Sequence, residues 1–320
     1  MEGQVRDLII RFASIFYEAL PFIILGSVIS GILEHLVPQQ LITRIVPRFR
    51  PAAIALSCLL GLIFPMCECG IVPVMRRLLR KGLPLSCCVA YMMAGPVINP
   101  VVLFSTFVAF RAFPGGWWII GLRAGLAFVV AFITAIIVDW QFARYGYDLL
   151  VPSARPDVKD DDHVHESPRT ISGKLSAISE TALGDFVDIT VFLTLGAVLS
   201  ALCRMYFSGN DIEYFGANFP IASILAMMGL AIVLCLCSEA DAFVAASFTT
   251  LPVAPKIAFL VLGPMLDFKL YLLFTRVFRQ RVIWTIITSV VIQTFIYSLA
   301  VHYLLPAFPP EASVVPPLGK

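Results

Sequence analysis

The chain has 320 residues, of which 59% are hydrophobic and 14% are charged, and its net charge is +2. A soluble globular domain carries about 25% charged residues, so this composition indicates a protein that has lipid as its solvent. The net charge is small and the basic residues lie in several short loops, which argues against a nucleic-acid partner.

Hydrophobic residues recur along the chain in runs of roughly 20, the length that an α-helix needs to cross a bilayer. The runs fall at about 12–36, 52–66, 84–110, 117–140, 186–207, 220–237, 252–275 and 282–305. No small-residue cleavage site follows the first run, which is therefore interpreted as a retained span. We predict an all-α, polytopic membrane protein embedded in a lipid bilayer.

A polar stretch at 141–185 separates the fourth and fifth apolar runs. Its prolines and the acidic run Asp160–Asp162 indicate a cytoplasmic, partly disordered linker that ends in an amphipathic helix from Gly173 onward. We therefore divide the chain into a first membrane repeat (1–140), the linker (141–185), a second membrane repeat (186–305) and an extended tail (306–320).

The two membrane halves carry matching motifs, which indicates an internal duplication. A shift of 168 residues places Cys67 on Cys235, Cys69 on Cys237, Gly95-Pro96 on Gly263-Pro264, and Asn99 on Asp267. Chance identity between leucine-rich runs is common, but a Cys-x-Cys pair and a Gly-Pro pair matched in one register are not. The prediction is therefore a pair of four-segment repeats.

The relative orientation of the repeats depends on the second segment of each half. If all eight segments cross the membrane, each half has an even number of spans and the repeats are parallel. If the second segment turns back at its Cys-x-Cys pair, re-entrant hairpins form at about 52–82 and 220–251, and the second half is inverted. The inverted arrangement leaves a larger excess of Lys and Arg in the cytoplasm, so we predict an inverted repeat.

Each predicted hairpin turns at a motif that contains cysteines and carboxylates. The motifs are Pro65-Met66-Cys67-Glu68-Cys69-Gly70 and Cys235-Leu236-Cys237-Ser238-Glu239-Ala240-Asp241. Interrupted backbone at membrane depth persists only where it is buried in protein or lines a wet cavity, and ionisable residues there indicate function. Alternatively, Glu68, Glu239 and Asp241 lie in the headgroup region and cap helices.

The third segment of each half contains a predicted break. The sequences Gly95-Pro96-Val97-Ile98-Asn99-Pro100 and Gly263-Pro264-Met265-Leu266-Asp267-Phe268-Lys269 interrupt segments that are otherwise long enough to span. Paired interruptions in two halves are the best sequence indication of a transporter's substrate site. We predict that Asn99 and Asp267 bind substrate or a coupling proton, with Lys269 controlling the charge of Asp267. The alternative is a structural kink in which Asp267 and Lys269 pair.

The paired cysteines have three interpretations. Thiolates in an unwound segment select soft ions or trivalent arsenic, which makes Cys67, Cys69, Cys235 and Cys237 candidate metal ligands. They could also form a transient redox pair or pack between helices without a ligand. The sequence contains no zinc-protease motif and no glycine-rich phosphate loop, so an ion gradient or a partner must supply the driving force.

Three motifs, at 65–70, 94–100 and 262–269, resemble those of the bacterial predicted permease family that includes YraQ-like and ArsP-like permeases. The resemblance covers nearly the whole chain and implies an inner-membrane permease. For the arsenical-exporting branch it implies efflux of trivalent organoarsenicals, with cysteines contacting the substrate. The positions of this sequence that match the family's motifs, and that the resemblance makes candidates for substrate binding, are Cys67, Cys69, Asn99 and Asp267. The motifs are shared with members of other branches, so they do not assign the chain to this one.

Together these features predict a secondary transporter for a small solute in the bacterial inner membrane, with efflux of a thiol-reactive metalloid or soft metal species as one candidate activity. The predicted substrate-binding residues are Cys67, Glu68, Cys69, Asn99, Cys235, Cys237, Glu239, Asp241, Asp267 and Lys269. The alternatives are an uncoupled channel-like conduit, a membrane thiol-disulfide oxidoreductase and a membrane subunit of a larger complex. The prediction includes no catalytic residue and no cofactor, and it allows a homo-oligomer.

Overall fold

A computed structural model of the chain describes residues 13, 17, 20–21, 23–32, 47, 49–64, 66–113, 115–154, 171–206 and 220–304. Within these ranges the fold is all-α, and the only β-type pairing is an isolated bridge between Leu150 and Phe278. The predicted all-α class is therefore confirmed. The predicted tail at 306–320 and the middle of the predicted linker lie outside the described residues.

The described helices of the first half are short except for the last one. They are α1 (Ile23–Ile32), α2 (Arg50–Leu59), α3 (Glu68–Arg80), α4 (Leu85–Ala94), α5 (Pro100–Ala109) and α6 (Gly116–Tyr145). A 3₁₀ turn, Leu60–Leu62, extends α2. Further 3₁₀ turns, Gly146–Leu149 and Pro152–Ala154, follow α6.

In the described part of the second half, four shorter helices lie between two long ones. Its elements are α7 (Ile171–Tyr206), α8 (Pro220–Leu234), α9 (Asp241–Ser247), α10 (Val253–Leu262), α11 (Phe268–Phe274) and α12 (Gln280–Leu304). Both bounds of α10 lie 168 residues after those of α4, and α11 starts 168 residues after α5. The predicted shift between the halves therefore also relates observed helix ends.

Both predicted helix breaks are present in the structure. The first separates α4 from α5 at 95–99, and the second separates α10 from α11 at 263–267. Proline has no N–H to donate and clashes with the preceding turn, so Pro96 and Pro264 prevent each segment from continuing as one rod. Each break is followed by a new N-cap, Asn99 or Asp267.

The start of α2 and the end of α3 lie close together. Ala53 near the start of α2 and Leu79 near the end of α3 line one cavity, which also contains Asp139 from the end of α6. Helix α3 has 13 residues, which gives it a length of about 20 Å, and a bilayer core is about 30 Å thick. The segment 50–80 therefore enters and leaves the fold at the same end.

Helices that correspond to each other under the predicted shift of 168 residues run in opposite directions. Arg281 at the start of α12 lies 4.3 Å above the ring of Tyr145 at the end of α6. Further along, Thr134 of α6 is 2.9 Å from Ser289 of α12, so these two long helices are antiparallel. The hydroxyl of Ser86 at the start of α4 donates a hydrogen bond to Asp139 near the end of α6. The start of α10 lies instead near the loop before α6, because Lys256 of α10 lies over the ring of Phe113 in that loop. The starts of α4 and α10 are therefore at opposite ends of α6.

Two of the described helical stretches, Gly116–Leu149 and Gln280–Leu304, are long and apolar enough to cross a bilayer by length and composition. Helix α4 packs on the first of them and α10 packs on both, and nearly every side chain of α4 and α10 is buried. A helix that is apolar on all faces belongs in the interior of a fold. The first arm of each broken helix is thus enclosed by protein, and the residues of the breaks at 95–99 and 264–267 are buried as well.

The predicted boundary between linker and second repeat at residue 186 falls inside α7, which already begins at Ile171. The sequence from 171 to 185 contains no proline, and Glu180 on this part of the helix is exposed. Hydropathy marks only the apolar part of a helix, so the more polar beginning of the α7 sequence is predicted as part of the linker. The predicted helical end of the linker is therefore the beginning of α7.

Candidate functional site

A row of buried polar and charged side chains joins the two halves at the helix breaks. Its members, none more than 2% exposed, are Thr106, Arg123, Asp241, Ser238, Glu68, Lys269 and Asp267. We call this row the central charge network. Five of its members carry ionisable side chains, and they come from five different helices or helix caps.

One end of the network is organised by Arg123, on the third turn of α6. Its guanidinium donates to Asp241 Oδ2 at 2.8 Å and to the carbonyl oxygen of Ser238 at 3.1 Å. It also donates to Thr106 Oγ1 of α5 at 2.7 Å. The planar fork of arginine suits several fixed acceptors at once, so this side chain joins α5 and α6 of the first half to the start of α9 in the second half.

The other end of the network is organised by Lys269, on the first turn of α11. Its Nζ lies 3.3 Å from Glu68 Oε1 and 3.4 Å from Asp267 Oδ2. Glu68 is the first residue of α3, a position at which the helix dipole favours a negative charge. Ser238 Oγ donates to Glu68 Oε2 at 3.4 Å, and this bond connects the two ends of the network.

The charges within the central charge network do not balance. Arg123 and Lys269 supply two positive charges, whereas Glu68, Asp241 and Asp267 supply three carboxylates. Removing ions from water is costly unless every charge is paired, and Asp241 Oδ1 has no hydrogen-bond partner within the described part of the chain. An enclosed group of this composition is chemically suited to take up one proton.

The two residues predicted to bind substrate at the breaks also have structural roles. Asn99 Oδ1 accepts from the N–H of Val101 at 2.9 Å, and Asp267 Oδ1 accepts from the N–H of Leu270 at 2.7 Å. Each side chain therefore caps the helix that resumes after the break. The alternative pairing of Asp267 with Lys269 is observed as well. A role of either residue in binding substrate stays a prediction.

The described cysteines of the hairpin motifs lie beside the network. Cys67 is the N-cap of α3, next to Glu68, and it is fully buried. Cys235 is 1% exposed, and its thiol lies at the backbone N–H groups of Phe268 and Lys269. Cys235 also has a φ of 47°, a left-handed conformation that costs a residue other than glycine about 1–3 kcal/mol. The backbone at the end of α8 is thus held in a strained turn that aims this thiol at the second break.

The predicted metal site and redox pair are only partly within the described residues. Cys67, Cys235 and Cys237 form no disulfide with another described residue, and the side chain of Cys69 lies outside the described part. Among the described residues, no three His, Cys, Asp or Glu side chains are grouped so that they could hold a metal ion. The four cysteines therefore stay candidates for contact with a soft substrate.

A close helix crossing fixes the position of the first motif. A Cβ placed on Gly26 of α1 would lie 2.7 Å from Cα of Gly70, a distance that side chains do not tolerate. The glycine that ends the Pro-Met-Cys-Glu-Cys-Gly motif thus allows α1 to pack directly on the first turn of α3.

Sequence reasoning placed Glu68, Asp241, Asp267 and Lys269 in one site, and the structure brings these four together. Glu239 is half-buried and lies near Asp241. Arg123 lies within the apolar run 117–140, where an unpaired charge is very costly, so the sequence predicts that it pairs with an acidic group or extends to the membrane surface, without indicating which group. The structure shows that the partner is Asp241 of the second half.

Interrupted helices that enclose a buried charge network define a class of protein, the membrane permease. The family model described as "Predicted permease" (ArsP_1) matches residues 4–303. The chain belongs to this predicted permease family, which confirms the family resemblance, the membrane setting and the permease role predicted from the motifs.

Individual relatives agree with this assignment. The chain is 40% identical to UPF0718 protein YcgR of Bacillus subtilis over 291 residues, which cover 91% of this chain and 95% of the relative. It is 34% identical over 303 residues to a Streptococcus mutans protein whose name proposes a subunit of a two-component membrane permease complex, covering 94% and 97% of the two chains. UPF0718 protein YraQ of Escherichia coli is 27% identical over 132 residues, or 40% of this chain and 36% of YraQ. No solved structure matches the chain.

Proposed function

We propose that this permease is a proton-coupled secondary transporter of the bacterial inner membrane, built as an inverted repeat. The observation that carries the proposal is the charge imbalance of the central charge network, with three carboxylates against two cations. A proton on one carboxylate makes the enclosed group neutral, and its loss leaves one negative charge. Coupling to a proton gradient requires a central site that changes between a protonated and a deprotonated state.

Opposed halves give such a site access to both sides of the membrane in turn. The antiparallel arrangement of α6 and α12 and the opposite starts of α4 and α10 support an inverted repeat. In transporters of this kind one repeat rocks against the other around a fixed central site. The ion pairs of Arg123 and Lys269 cross between the halves, so they are the contacts that rocking would rearrange.

For the substrate we propose a small thiol-reactive solute, with a trivalent organoarsenical as the first candidate. The family resemblance suggests this class, and the buried thiols of Cys67, Cys235 and Cys237 near the breaks support it. Thiolates prefer soft acceptors. The arsenical would be the cargo, and efflux is the proposed direction.

Transport into inverted membrane vesicles tests the proposal directly. Uptake of trivalent organoarsenicals and soft metal ions is measured with an imposed proton gradient and after its collapse by a protonophore. We expect uptake by the parent chain to depend on the gradient, and Glu68→Gln and Asp241→Asn to lose this dependence. Glu180→Gln is the matched control, because Glu180 is exposed on α7 and outside the network.

Two results would favour rival functions, and a third would exclude the central charge network from coupling. Uptake that ignores the protonophore in the parent chain indicates an uncoupled conduit. Loss of activity in Cys67→Ser together with a trappable disulfide in the parent chain indicates a thiol oxidoreductase. Unchanged gradient dependence in both carboxylate variants removes the central charge network from the coupling mechanism.

A second candidate is a membrane subunit that acts with a partner protein. The name of the Streptococcus mutans relative, which this chain matches over 94% of its length, is the observation that favours it. The permease purified alone and reconstituted into liposomes would then transport nothing, whereas membranes from cells that contain the partner would. Activity of the purified chain in liposomes argues against this candidate.

A further inference from the structure

A cavity separate from the central charge network opens where α4 begins and α6 ends. Its volume is about 340 Å³, at the lower end of the roughly 300–1,000 Å³ of pockets that bind small molecules. Asp139 in this cavity follows Arg123 by sixteen residues on α6, which places it about 24 Å further along the helix axis. The cavity is therefore a site of its own.

The cavity contains one firmly positioned carboxylate. Asp139 Oδ1 accepts from the hydroxyl of Ser86 at 3.0 Å, and Ser86 is only 2% exposed. Ser86 lies in the first turn of α4, whose ten residues are all buried, so it cannot move without the core. The side chain of Asp139 keeps 22% of its surface exposed, which leaves the carboxylate accessible from the cavity.

The internal counter-ion of this carboxylate is loosely held. Arg50 Nη1 lies 3.0 Å from Asp139 Oδ2, but the Arg50 side chain is 69% exposed. Exposed ion pairs contribute little to stability, since water solvates both partners well. A ligand with a positive charge could therefore replace the Arg50 guanidinium at small cost.

The remaining walls of the cavity are apolar and partly aromatic. Phe142 and Tyr147 stand edge to face with their ring centroids 5.3 Å apart, and both line the cavity. Leucines and prolines complete the lining: Pro47, Leu79, Leu83, Pro84, Leu85 and Leu150. Aromatic faces beside a carboxylate attract organic cations through the ring quadrupole, while the leucines accept apolar substituents.

We propose that this cavity binds a small organic cation with apolar substituents, whose positive group takes the place of Arg50 on Asp139. The ligand class follows from one fixed carboxylate, a displaceable arginine and an aromatic wall. The site does not depend on the proposed transport mechanism, because a binding measurement needs neither a proton gradient nor a transported solute.

Calorimetric titration of the purified protein in a neutral maltoside detergent tests this proposal, with benzyltrimethylammonium as the probe and empty micelles as the blank. We expect saturable binding that Asp139→Asn weakens by at least about tenfold, since the charge is lost while the shape and the acceptor for Ser86 are kept. Arg50→Gln should tighten binding by about two- to fivefold, because the internal competitor is removed.

Two further variants separate this site from a general effect on folding. Phe142→Leu removes the aromatic wall but keeps an apolar side chain, and we expect it to weaken binding of the cation. Arg144→Gln is the matched control for Arg50→Gln, because Arg144 is at the same end of α6 but lies over Trp140. It should leave binding unchanged.

Several outcomes would overturn the proposal. The parent chain could fail to bind benzyltrimethylammonium, or Asp139→Asn could bind it as tightly as the parent does. Weaker binding in Arg50→Gln would show that the arginine contacts the ligand instead of competing with it. Tighter binding of benzoate than of benzyltrimethylammonium would identify the cavity as an anion site.

Discussion

The guanidinium of Arg123 and the carboxylate of Asp241 form an ion pair at 2.8 Å in which neither side chain is more than 2% exposed. Arg123 belongs to α6 of the first half, and Asp241 is the first residue of α9 in the second half. The reciprocal contact joins Lys269 of the second half to Glu68, the first residue of α3. The start of α3 and the start of α9 are therefore each held by a cation from the opposite half.

Removing one partner of the Arg123–Asp241 pair should destabilise the protein strongly. Arg123→Met or Asp241→Leu alone leaves a buried charge unpaired, and we expect each to cost about 3–5 kcal/mol. The double variant should be more stable than either single variant, because apolar replacement of a whole buried pair is often nearly neutral. Thermal unfolding in detergent measures the three differences. Additive losses in the double variant would show that the two residues do not form a pair.

Transport measurements distinguish this structural role of the Arg123–Asp241 pair from a role in coupling. We expect the double variant Arg123→Met/Asp241→Leu to fold and yet to lose gradient-driven transport, since the carboxylate is absent. Recovery of gradient-driven transport in the stable double variant would mean that the pair only holds the fold together.

The two functions of Asp267, helix capping and charge, can be separated by substitution. Asp267→Asn keeps an oxygen for the N–H of Leu270 but loses the charge facing Lys269. Asp267→Ala loses both, and loss of an N-cap costs about 0.5–2 kcal/mol. We expect Asp267→Asn to be the more stable variant and both to lose proton dependence of transport.

The cap of the other break provides the comparison. Asn99 caps α5 through Val101 without contributing a charge. Asn99→Ser should keep both the fold and the gradient dependence, because serine is an equally good N-cap. Loss of coupling in Asn99→Ser with unchanged stability would assign Asn99 a direct part in transport.

The helix breaks and the carboxylates were predictable from the sequence because their causes are local. Gly95-Pro96 and Gly263-Pro264 disrupt a helix wherever they occur, and the break positions follow from these dipeptides alone. The ion pairs were not predictable, since Arg123 and Asp241 are 118 residues apart and Glu68 and Lys269 are 201 apart. Which carboxylate faces which cation depends on how the two halves pack, and no local pattern encodes that packing.

Close packing against the first helix break should make Gly61 intolerant of a side chain. A Cβ on Gly61 would lie 2.6 Å from the carbonyl oxygen of Gly95, and backbone can give way only at a cost of about 1–3 kcal/mol. Gly229 lies 168 residues later, and no described residue lies within 4 Å of its added Cβ. Gly229→Ala should be neutral or stabilise α8, because alanine favours helices over glycine.

Thermal unfolding of Gly61→Ala and Gly229→Ala in the same detergent measures this difference. Comparing the two variants tests whether the first break is packed against the turn that ends α2. Equal unfolding temperatures for the two variants would contradict the close contact between Gly61 and Gly95.

Cysteine labelling distinguishes a hairpin at 50–80 from a segment that crosses the bilayer. Phe49→Cys and Lys81→Cys flank the hairpin, and Arg111→Cys lies between α5 and α6. The structure predicts that a membrane-impermeant maleimide labels the first two from one side of the membrane and Arg111→Cys from the other. The parent chain serves as the control, because its six described cysteines are at most 3% exposed. If the second segment crossed completely, Phe49→Cys and Arg111→Cys would be labelled from one side and Lys81→Cys from the opposite one.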